Sequence, residues 1–205
     1  MTAAVTWRFQ PQPATLQLHL DQATENIRQL ETRLVEVEKK AGTDSLTGIN
    51  NRHSFEKYLQ EVCRSCKREE RFVMIMFDID HFKQFNDNYG HRVGDLVIRN
   101  VAQLVAAELP AKGFVARYGG EEFAVILKDQ NLDAGLAVAE HLRQIVASRE
   151  LRRGRDGSRL GQVTISLGVA AGQAGADPET VVERADAALY RAKGNGRNRV
   201  EAASA

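Results

Sequence analysis

The sequence Arg117-Tyr118-Gly119-Gly120-Glu121-Glu122-Phe123 lies between two apolar runs, 114–116 and 123–127. Two such runs meeting at a pair of glycines predict a tight β-hairpin, whose turn would use the ability of glycine to adopt positive φ. Adjacent carboxylates beside bare backbone suit a divalent metal that holds phosphate. Taken alone, the segment is more typical of a solvated acidic turn, so the interpretation depends on the rest of the chain.

A second group of acids follows a continuous apolar run. Residues 71–77 lead directly into Asp78-Ile79-Asp80, a pattern typical of a strand buried on both faces. Carboxylates at the end of such a strand are held rigidly enough to bind a metal; the alternative is that they only cap a following helix. The polar residues 81–95 predict a loop wrapped around a ligand. Together the two acidic sites indicate metal-assisted phosphate chemistry.

Several motifs then occur in one order and resemble those of the GGDEF-domain family, the diguanylate cyclases, over roughly residues 42–201. The matching segments are Asp44–Gly48, Asn51-Arg52, Asp78–Lys83, Asn86-Asp87, Gly90-His91, Gly94-Asp95, Arg117–Phe123, Ala188–Lys193 and Gly196–Asn198. The acid after the glycine pair is Glu121 rather than aspartate, a variant that preserves the carboxylate.

The resemblance implies a reaction in which a dimer condenses two GTP molecules into cyclic di-GMP and releases two pyrophosphates. It implies a cofactor of Mg²⁺ or Mn²⁺ in a two-metal arrangement, with Asp78, the carbonyl of Ile79 and Glu121 as metal ligands. The catalytic residues would be Glu121, Glu122 and Lys83. Whether Glu121 or Glu122 assists deprotonation of the attacking hydroxyl stays open.

The same resemblance assigns substrate contacts. Lys83, Lys193 and Arg197 match positions that contact the triphosphate, and backbone amides at the start of a helix near Phe82 would add an anion site. Asn86 and Asp95 match guanine contacts; a carboxylate accepts two donors of guanine that adenine does not offer, which favours GTP. The expected substrate-binding residues are Phe82, Asn86, His91, Asp95, Gly119, Gly120, Lys193 and Arg197.

One family feature is absent. Many relatives carry an Arg-x-x-Asp product-binding site that lies five residues before the glycine pair, whereas this chain has Pro110 and Gly113 at those two positions. We therefore expect no inhibitory product site and weak or absent feedback inhibition. The alternative function is a catalytically inactive GGDEF domain that binds GTP or cyclic di-GMP and acts through protein contacts. Inactive members usually lose the acids or glycines that this chain retains.

The composition is balanced, with 28 basic and 27 acidic residues in 205. Such a balance gives no reason to expect nucleic acid or an anionic membrane as a partner. The sequence has no apolar window long enough to span a bilayer and no apolar core of a signal peptide near its start. We therefore expect a cytoplasmic protein.

The chain is predicted to have four parts. Residues 1–14 form an irregular lead-in, 15–41 a coiled-coil signalling helix, 42–201 the GGDEF domain and 202–205 a tail. The heptad positions are Leu16, Leu20, Ala23, Ile27, Leu30, Leu34, Val37 and Ala41, which favours a dimeric coiled coil over a helix packed on its own domain. An upstream sensor domain or a partner protein would then supply the input.

Beyond residue 51 we expect helix 52–68, strand 72–79, helix 91–108, strands 114–118 and 122–128, helix 132–148, strand 162–170 and helix 178–193. This order predicts an α+β fold with a ferredoxin-like βαββαβ core, the palm-like arrangement that the family shares with nucleotide cyclases. Cys63 and Cys66 are expected to pack as small apolar residues on the inward helix face. The arginine-rich segment 149–159 predicts a basic hairpin, with an anion or partner contact as the open alternative.

Overall fold

A computed structural model describes residues 21–22, 24–29, 42–65, 71–153 and 158–204. The chain divides into two compact units, residues 1–41 and 42–205. In the first unit, residues 21–22 and 24–29 are helical. The predicted lead-in and most of the predicted coiled coil lie outside the described residues. In the described part of the chain, no helix has both the length and the apolar character that crossing a membrane requires.

The second unit contains a five-stranded mixed sheet flanked by helices and a separate two-stranded sheet. Its strands are β1 (Arg71–Ile79), β2 (Gly113–Arg117), β3 (Glu122–Lys128), β4 (Glu150–Arg153), β5 (Ser158–Gln162), β6 (Ile165–Gln173) and β7 (Val200–Ala202). Its helices are α1 (Arg52–Ser65), α2 (Phe82–Tyr89), α3 (His91–Glu108), α4 (Leu132–Ser148) and α5 (Pro178–Gly194).

The main sheet has the strand order β2-β3-β1-β6-β7. Strands β1, β2, β3 and β6 pair antiparallel, with α2 and α3 between β1 and β2 and α4 between β3 and β6. This is the connectivity of a βαββαβ core, so the predicted ferredoxin-like fold is confirmed. The short strand β7, which was not predicted, adds to the edge in parallel with β6.

Strand β1 lies at the centre and is buried on both faces, as its unbroken apolar sequence predicts. Its residues alternate between two core clusters because successive side chains of a strand point to opposite faces. Val73, Ile75 and Phe77 pack with α3 and α4. Phe72, Met74 and Met76 pack with α1 and α5, where Cys63 is also buried. The inward placement predicted for Cys63 is confirmed, and Cys66 lies outside the described residues.

Two local predictions were wrong. Residues 81–95, predicted to form a loop around a ligand, instead include a helix, because residues 82–89 form α2. Its ring contacts, Phe82 with Phe85 and Phe85 with Tyr89, have the helical spacing that the polar neighbours obscured. The predicted strand 162–170 corresponds to β6, but its predicted start is three residues too early, since Gln162 ends β5, which pairs with β4, and β6 begins at Ile165. The pairing of β4 with β5 confirms the predicted basic hairpin.

Candidate active site

The two acidic segments predicted from sequence meet at the ends of neighbouring strands. In the antiparallel pairing of β1 with β3, Asp78 lies opposite Glu122. The backbone N–H of Ile79 donates to the carbonyl of Glu121 at 3.4 Å. Residues far apart in the chain are therefore fixed side by side by the sheet register, because a shift of one residue would turn these side chains to the other face.

A lysine from α5 closes this acidic group. The Nζ of Lys193 lies 2.9 Å from Oδ2 of Asp78, whose side chain is 10% exposed. Burial raises the pKa of Asp78 to about 6; the ion pair with Lys193 opposes this rise, and the charges of Glu121 and Glu122 add to it. At pH 7 the carboxyl is still mostly ionised, but its negative charge is less favourable than in water, so a further cation would stabilise it.

The hairpin tip is a short turn at Tyr118–Glu121. The N–H groups of Tyr118 and Gly119 donate to the carbonyl of Glu122, at 2.8 and 3.2 Å, and Glu122 N–H donates back to Gly119 at 3.2 Å. Neither Gly119 nor Gly120 adopts positive φ, so the expected reason for these glycines was wrong. A Cβ on Gly120 would meet no atom within 4 Å. A Cβ on Gly119 would lie 2.9 Å from Oε2 of Glu122. Gly120 therefore leaves the tip uncovered, and Gly119 leaves room for the Glu122 carboxylate.

Arg117 holds the hairpin tip through the carbonyl of Gly120. Its Nε and Nη2 donate to the carbonyl of Gly120 at 3.0 and 2.8 Å. Its Nη1 donates to both carboxylate oxygens of Asp44, at 3.2 and 3.1 Å. Burial raises the pKa of Asp44, but hydrogen bonds from Thr47 and the charge of Arg117 outweigh it, so the pKa lies below its ordinary value. Arg117 and Asp44 both belong to predicted motifs, but their contact was not predicted.

The predicted guanine contacts lie on α2 and α3. Asn86 is on α2, and its buried Oδ1 has no hydrogen-bond partner among the described residues. A Cβ on Gly94, in the first turn of α3, would overlap that oxygen. Asp95 is exposed beside Gly94. A buried amide oxygen without a partner is costly, and a bound donor would satisfy it.

The predicted phosphate contacts lie around the start of α2 and the end of α5. Phe82 is buried, whereas Lys83 and His91 are exposed. His81 precedes α2 in the left-handed conformation and makes no side-chain hydrogen bond that caps the helix. Arg197 lies in the turn after α5, where its N–H donates to Ala192 at 3.0 Å.

The donor set fits a hard divalent cation. Asp78, Glu121 and the carbonyl of Ile79 offer oxygen only, which Mg²⁺ and Mn²⁺ prefer. Burial and the carboxylates around Asp78 disfavour its negative charge, which an added cation would counter. In the described ranges, no three His, Cys, Asp or Glu side chains are grouped to hold a metal. The predicted set needs two carboxylates and a carbonyl, so that finding does not test it.

Pro110 and Gly113, which stand where many relatives carry the Arg-x-x-Asp product site, lie at the turn into β2. Gly113 opens β2, and its N–H donates to the carbonyl of Pro110 at 2.7 Å in a tight turn. A Cβ on Gly113 would lie 3.0 Å from Cβ of Leu109 and 3.1 Å from the Pro110 carbonyl. The backbone at this position is therefore tight even for a small side chain.

A βαββαβ sheet with acids at the ends of two adjacent central strands defines the palm-like class of nucleotidyl cyclases. The model of the family described as "Diguanylate cyclase, GGDEF domain" matches residues 41–199. The chain belongs to this family.

Individual relatives agree with this assignment. The diguanylate cyclase VdcA of Vibrio cholerae is 40% identical over 182 residues, which cover 88% of this chain and 52% of that protein. The chain thus spans about half the length of that relative. Most of this chain therefore aligns with part of a longer protein.

Solved structures have the same fold. The coiled coil and GGDEF domain of DgcB from Caulobacter crescentus, solved with c-di-GMP, is 39% identical with a TM-score of 0.84 and covers 92% of this chain and 100% of that one. The diguanylate cyclase SiaD of Pseudomonas aeruginosa, solved with its activator SiaC, is 32% identical with a TM-score of 0.77. That alignment covers 93% of this chain and 73% of the SiaD chain.

Proposed function

We propose that this protein is a diguanylate cyclase that condenses two GTP molecules into cyclic di-GMP with release of two pyrophosphates. The observation that carries the proposal is the pairing of Asp78 with Glu122 at adjacent strand ends, with Glu121 beside them and Lys193 on Asp78. Membership in the family supports the same reaction. The use of GTP agrees with the expected cytoplasmic location.

Asp78, the carbonyl of Ile79 and Glu121 would hold the divalent cofactor, Mg²⁺ or Mn²⁺ in a two-metal arrangement. When bound, the metal supplies positive charge where the attacked α-phosphate and the leaving pyrophosphate gain negative charge. Glu121 or Glu122 takes the proton from the attacking 3′-hydroxyl. Gly119 and Gly120 leave the hairpin backbone open to the phosphates, since a Cβ on Gly120 would point into open space.

The triphosphate is bound by cations and backbone amides. Lys83, Lys193 and Arg197 neutralise phosphate oxygens, and the first N–H groups of α2 near Phe82 add donors. Lys193 forms an ion pair with Asp78 at 2.9 Å. Nucleotide binding would give this lysine a second anionic partner. His91, the first residue of α3, is the remaining proposed substrate contact.

The base is recognised between α2 and α3. Asp95 accepts two donors of guanine, and the buried Oδ1 of Asn86, which lacks a partner among the described residues, accepts a further donor. Adenine cannot satisfy the same acceptors, so it would leave them desolvated and unpaired.

The active species is a dimer. Each domain holds one GTP, and two domains must face each other for each 3′-hydroxyl to reach the other α-phosphate. The heptads of residues 15–41 would hold the pair at high local concentration. Input would come from an upstream sensor domain or from a partner protein, as the solved complex of SiaD with its activator illustrates for a relative.

The test is incubation of the purified chain with GTP and Mg²⁺ at several protein concentrations, with products separated by chromatography. We expect cyclic di-GMP, a rate that rises more steeply than linearly with protein, and loss of product in Glu121→Ala. Glu56→Ala, an exposed acid paired with Arg52, is the matched control and should retain activity. GTP binding without product at every concentration would instead support an inactive binding domain.

A further inference from the structure

Asp80 is a buried carboxylate that the proposed reaction does not use. It is 7% exposed and lies two residues beyond Asp78. Its Oδ1 accepts from Ser166 Oγ at 2.6 Å, and its Oδ2 accepts from Thr164 Oγ1 at 2.7 Å and from the N–H of Asn198 at 3.0 Å. Hydrogen bonds from three donors satisfy a buried negative charge, so Asp80 is already committed to protein contacts.

One of these donors belongs to the turn that presents Arg197. Gly196, Arg197 and Asn198 have φ values of 110°, 62° and 44°. Arginine rarely adopts a left-handed conformation, so this turn needs contacts from the surrounding structure to persist. Three of these contacts involve its backbone: Arg197 N–H to Ala192 O at 3.0 Å, Leu167 N–H to Arg199 O at 2.9 Å, and Asn198 N–H to Asp80.

Asn198 is held from its other side as well. Its Oδ1 accepts from Nη1 of Arg143 on α4 at 2.8 Å. Arg143 is in turn held by Glu140, which accepts from its Nε at 2.9 Å and its Nη2 at 2.7 Å. The backbone of Asn198 is therefore fixed by Asp80 and its side chain by α4.

We infer that Asp80 is a positioning residue: it holds the turn that carries Arg197 in a fixed position relative to Asp78. The inference rests on the proposed function, in which Arg197 binds the triphosphate and Asp78 binds the metal. Asp80 lies at the same strand end as Asp78 and hydrogen-bonds the residue after Arg197. It therefore joins the metal-binding edge of the sheet to the phosphate-binding turn, and Arg143 supports that connection from α4.

A purely structural role of Asp80 and a role in positioning Arg197 predict different results. If Asp80 only stabilises the fold, Asp80→Asn lowers thermal stability and its effect on nucleotide affinity is independent of Arg197. If Asp80 positions Arg197, its effect on affinity disappears once the guanidinium is removed, because nothing remains to be positioned. A double-mutant cycle separates the two roles.

The experiment measures binding of 3′-deoxy-GTP, which cannot attack, to the full chain by calorimetry with Mg²⁺. We expect Asp80→Asn to weaken affinity about tenfold, the scale of a lost charge-assisted hydrogen bond, but less than about twofold in an Arg197→Ala background. Arg143→Ala should weaken affinity about threefold and show the same coupling to Arg197. Thr164→Val leaves the contact of Asp80 with Asn198 in place. It should lower stability, and any change in affinity should be the same with and without the Arg197 guanidinium.

Equal effects of Asp80→Asn in the presence and absence of the Arg197 guanidinium, with normal binding by the unsubstituted chain, would overturn this inference alone. Failure of the unsubstituted chain to bind 3′-deoxy-GTP would overturn the proposed function and this inference with it. Circular dichroism checks that each variant folds. If Asp80→Asn does not fold, the cycle of Arg143→Ala with Arg197→Ala decides the question, because Arg143 lies near the surface with 19% of its side chain exposed.

Discussion

Arg117 joins Asp44 to the hairpin tip. Its Nη1 lies 3.1 Å from Oδ2 of Asp44, and the side chains of the pair are 19% and 18% exposed. The same guanidinium donates two hydrogen bonds to the carbonyl of Gly120. The position of the turn that carries Glu121 therefore depends on a residue at the start of the domain, because a partly buried bidentate contact tolerates little movement.

Arg117→Met should lower kcat/KM for GTP by about 10- to 100-fold, since it removes charge-assisted hydrogen bonds worth about 1.5–3 kcal/mol. The reduction should fall mainly on kcat, because the turn carries Glu121 and Glu122. Steady-state kinetics of product formation measure the effect.

Arg99→Met is the matched control. Arg99 donates to the carbonyl of Leu46 at 2.9 Å and so holds the same loop as Asp44 without touching Gly120. It should change kcat less than threefold. Equal losses in the two variants would mean that the loop, rather than the contact with Gly120, matters.

Asp44→Asn should make stability less dependent on acid pH. The pKa of Asp44 is lowered in the folded chain, so its contribution is present above the unfolded pKa of about 3.9 and is lost as pH falls through the lower folded pKa. At pH 7 the variant should be less stable by about 1–2 kcal/mol, and the difference should shrink as pH falls below the unfolded pKa.

Urea unfolding from pH 7 to pH 2.5 checks this prediction. Asp129→Asn is the control, because its contact with Lys112 is long, at 3.5 Å, and exposed. It should change stability by less than about 0.5 kcal/mol. A constant difference between Asp44→Asn and the unsubstituted chain across the whole range would contradict the linkage.

Gly94→Ala should weaken GTP binding about tenfold or more. Alanine is favoured over glycine in a helix by about 1 kcal/mol, but its Cβ would overlap Oδ1 of Asn86 and lie 3.0 Å from Cζ of Phe82. The asparagine must therefore move away from the base. Gly194→Ala, whose Cβ would meet nothing within 4 Å, should leave affinity unchanged in the same calorimetric titration.

Asp95→Ala should reduce the preference for GTP over ATP. The substitution removes the acceptor for the donors of guanine, and discrimination of this kind is worth about 10²-fold or more when the acceptor is desolvated. Competition between the two nucleotides for binding measures the ratio. Asp87→Ala, an exposed neighbour on α2, should retain the preference. An unchanged ratio in Asp95→Ala would remove this residue from base recognition.

Product should inhibit the enzyme weakly. Pro110 and Gly113 replace the arginine and aspartate of the inhibitory site, and the backbone at Gly113 is tight. We expect initial rates to fall by less than about twofold when cyclic di-GMP is added at concentrations equal to GTP. Strong non-competitive inhibition would show that product binds elsewhere on the domain.

Most helices and strands of the domain could be predicted from the sequence. Helix 132–148 was predicted with the bounds found for α4, and the structure shows that the Asn131 side chain caps its start. The apolar run 72–77 identified the central strand β1, because a strand buried on both faces has apolar residues at successive positions. Strand β7 escaped prediction because its three residues form a strand only by pairing with β6.

The site divides in the same way. Asp78, Glu121 and Glu122 were predicted as site residues from residue type and position, and Asn86 and Asp95 from the family resemblance. The helix at 82–89 was missed because eight largely polar residues resemble a loop until packing places Phe82 and Phe85 in contact. The φ values of Gly119 and Gly120 were also wrongly predicted, since a pair of glycines permits several turn geometries.

The sequence by itself determined the family and most helices and strands, because these follow from motif residues in order and from local periodicity. The family resemblance implied the βαββαβ core and the chemical groups of the site. Tertiary structure alone decided which groups touch. Arg117 contacts Asp44, Lys193 contacts Asp78, and Asp80 contacts Asn198. These partners are distant in the chain, and their contacts exist only because sheet register and helix packing fix distances to a fraction of an ångström, which no local pattern encodes.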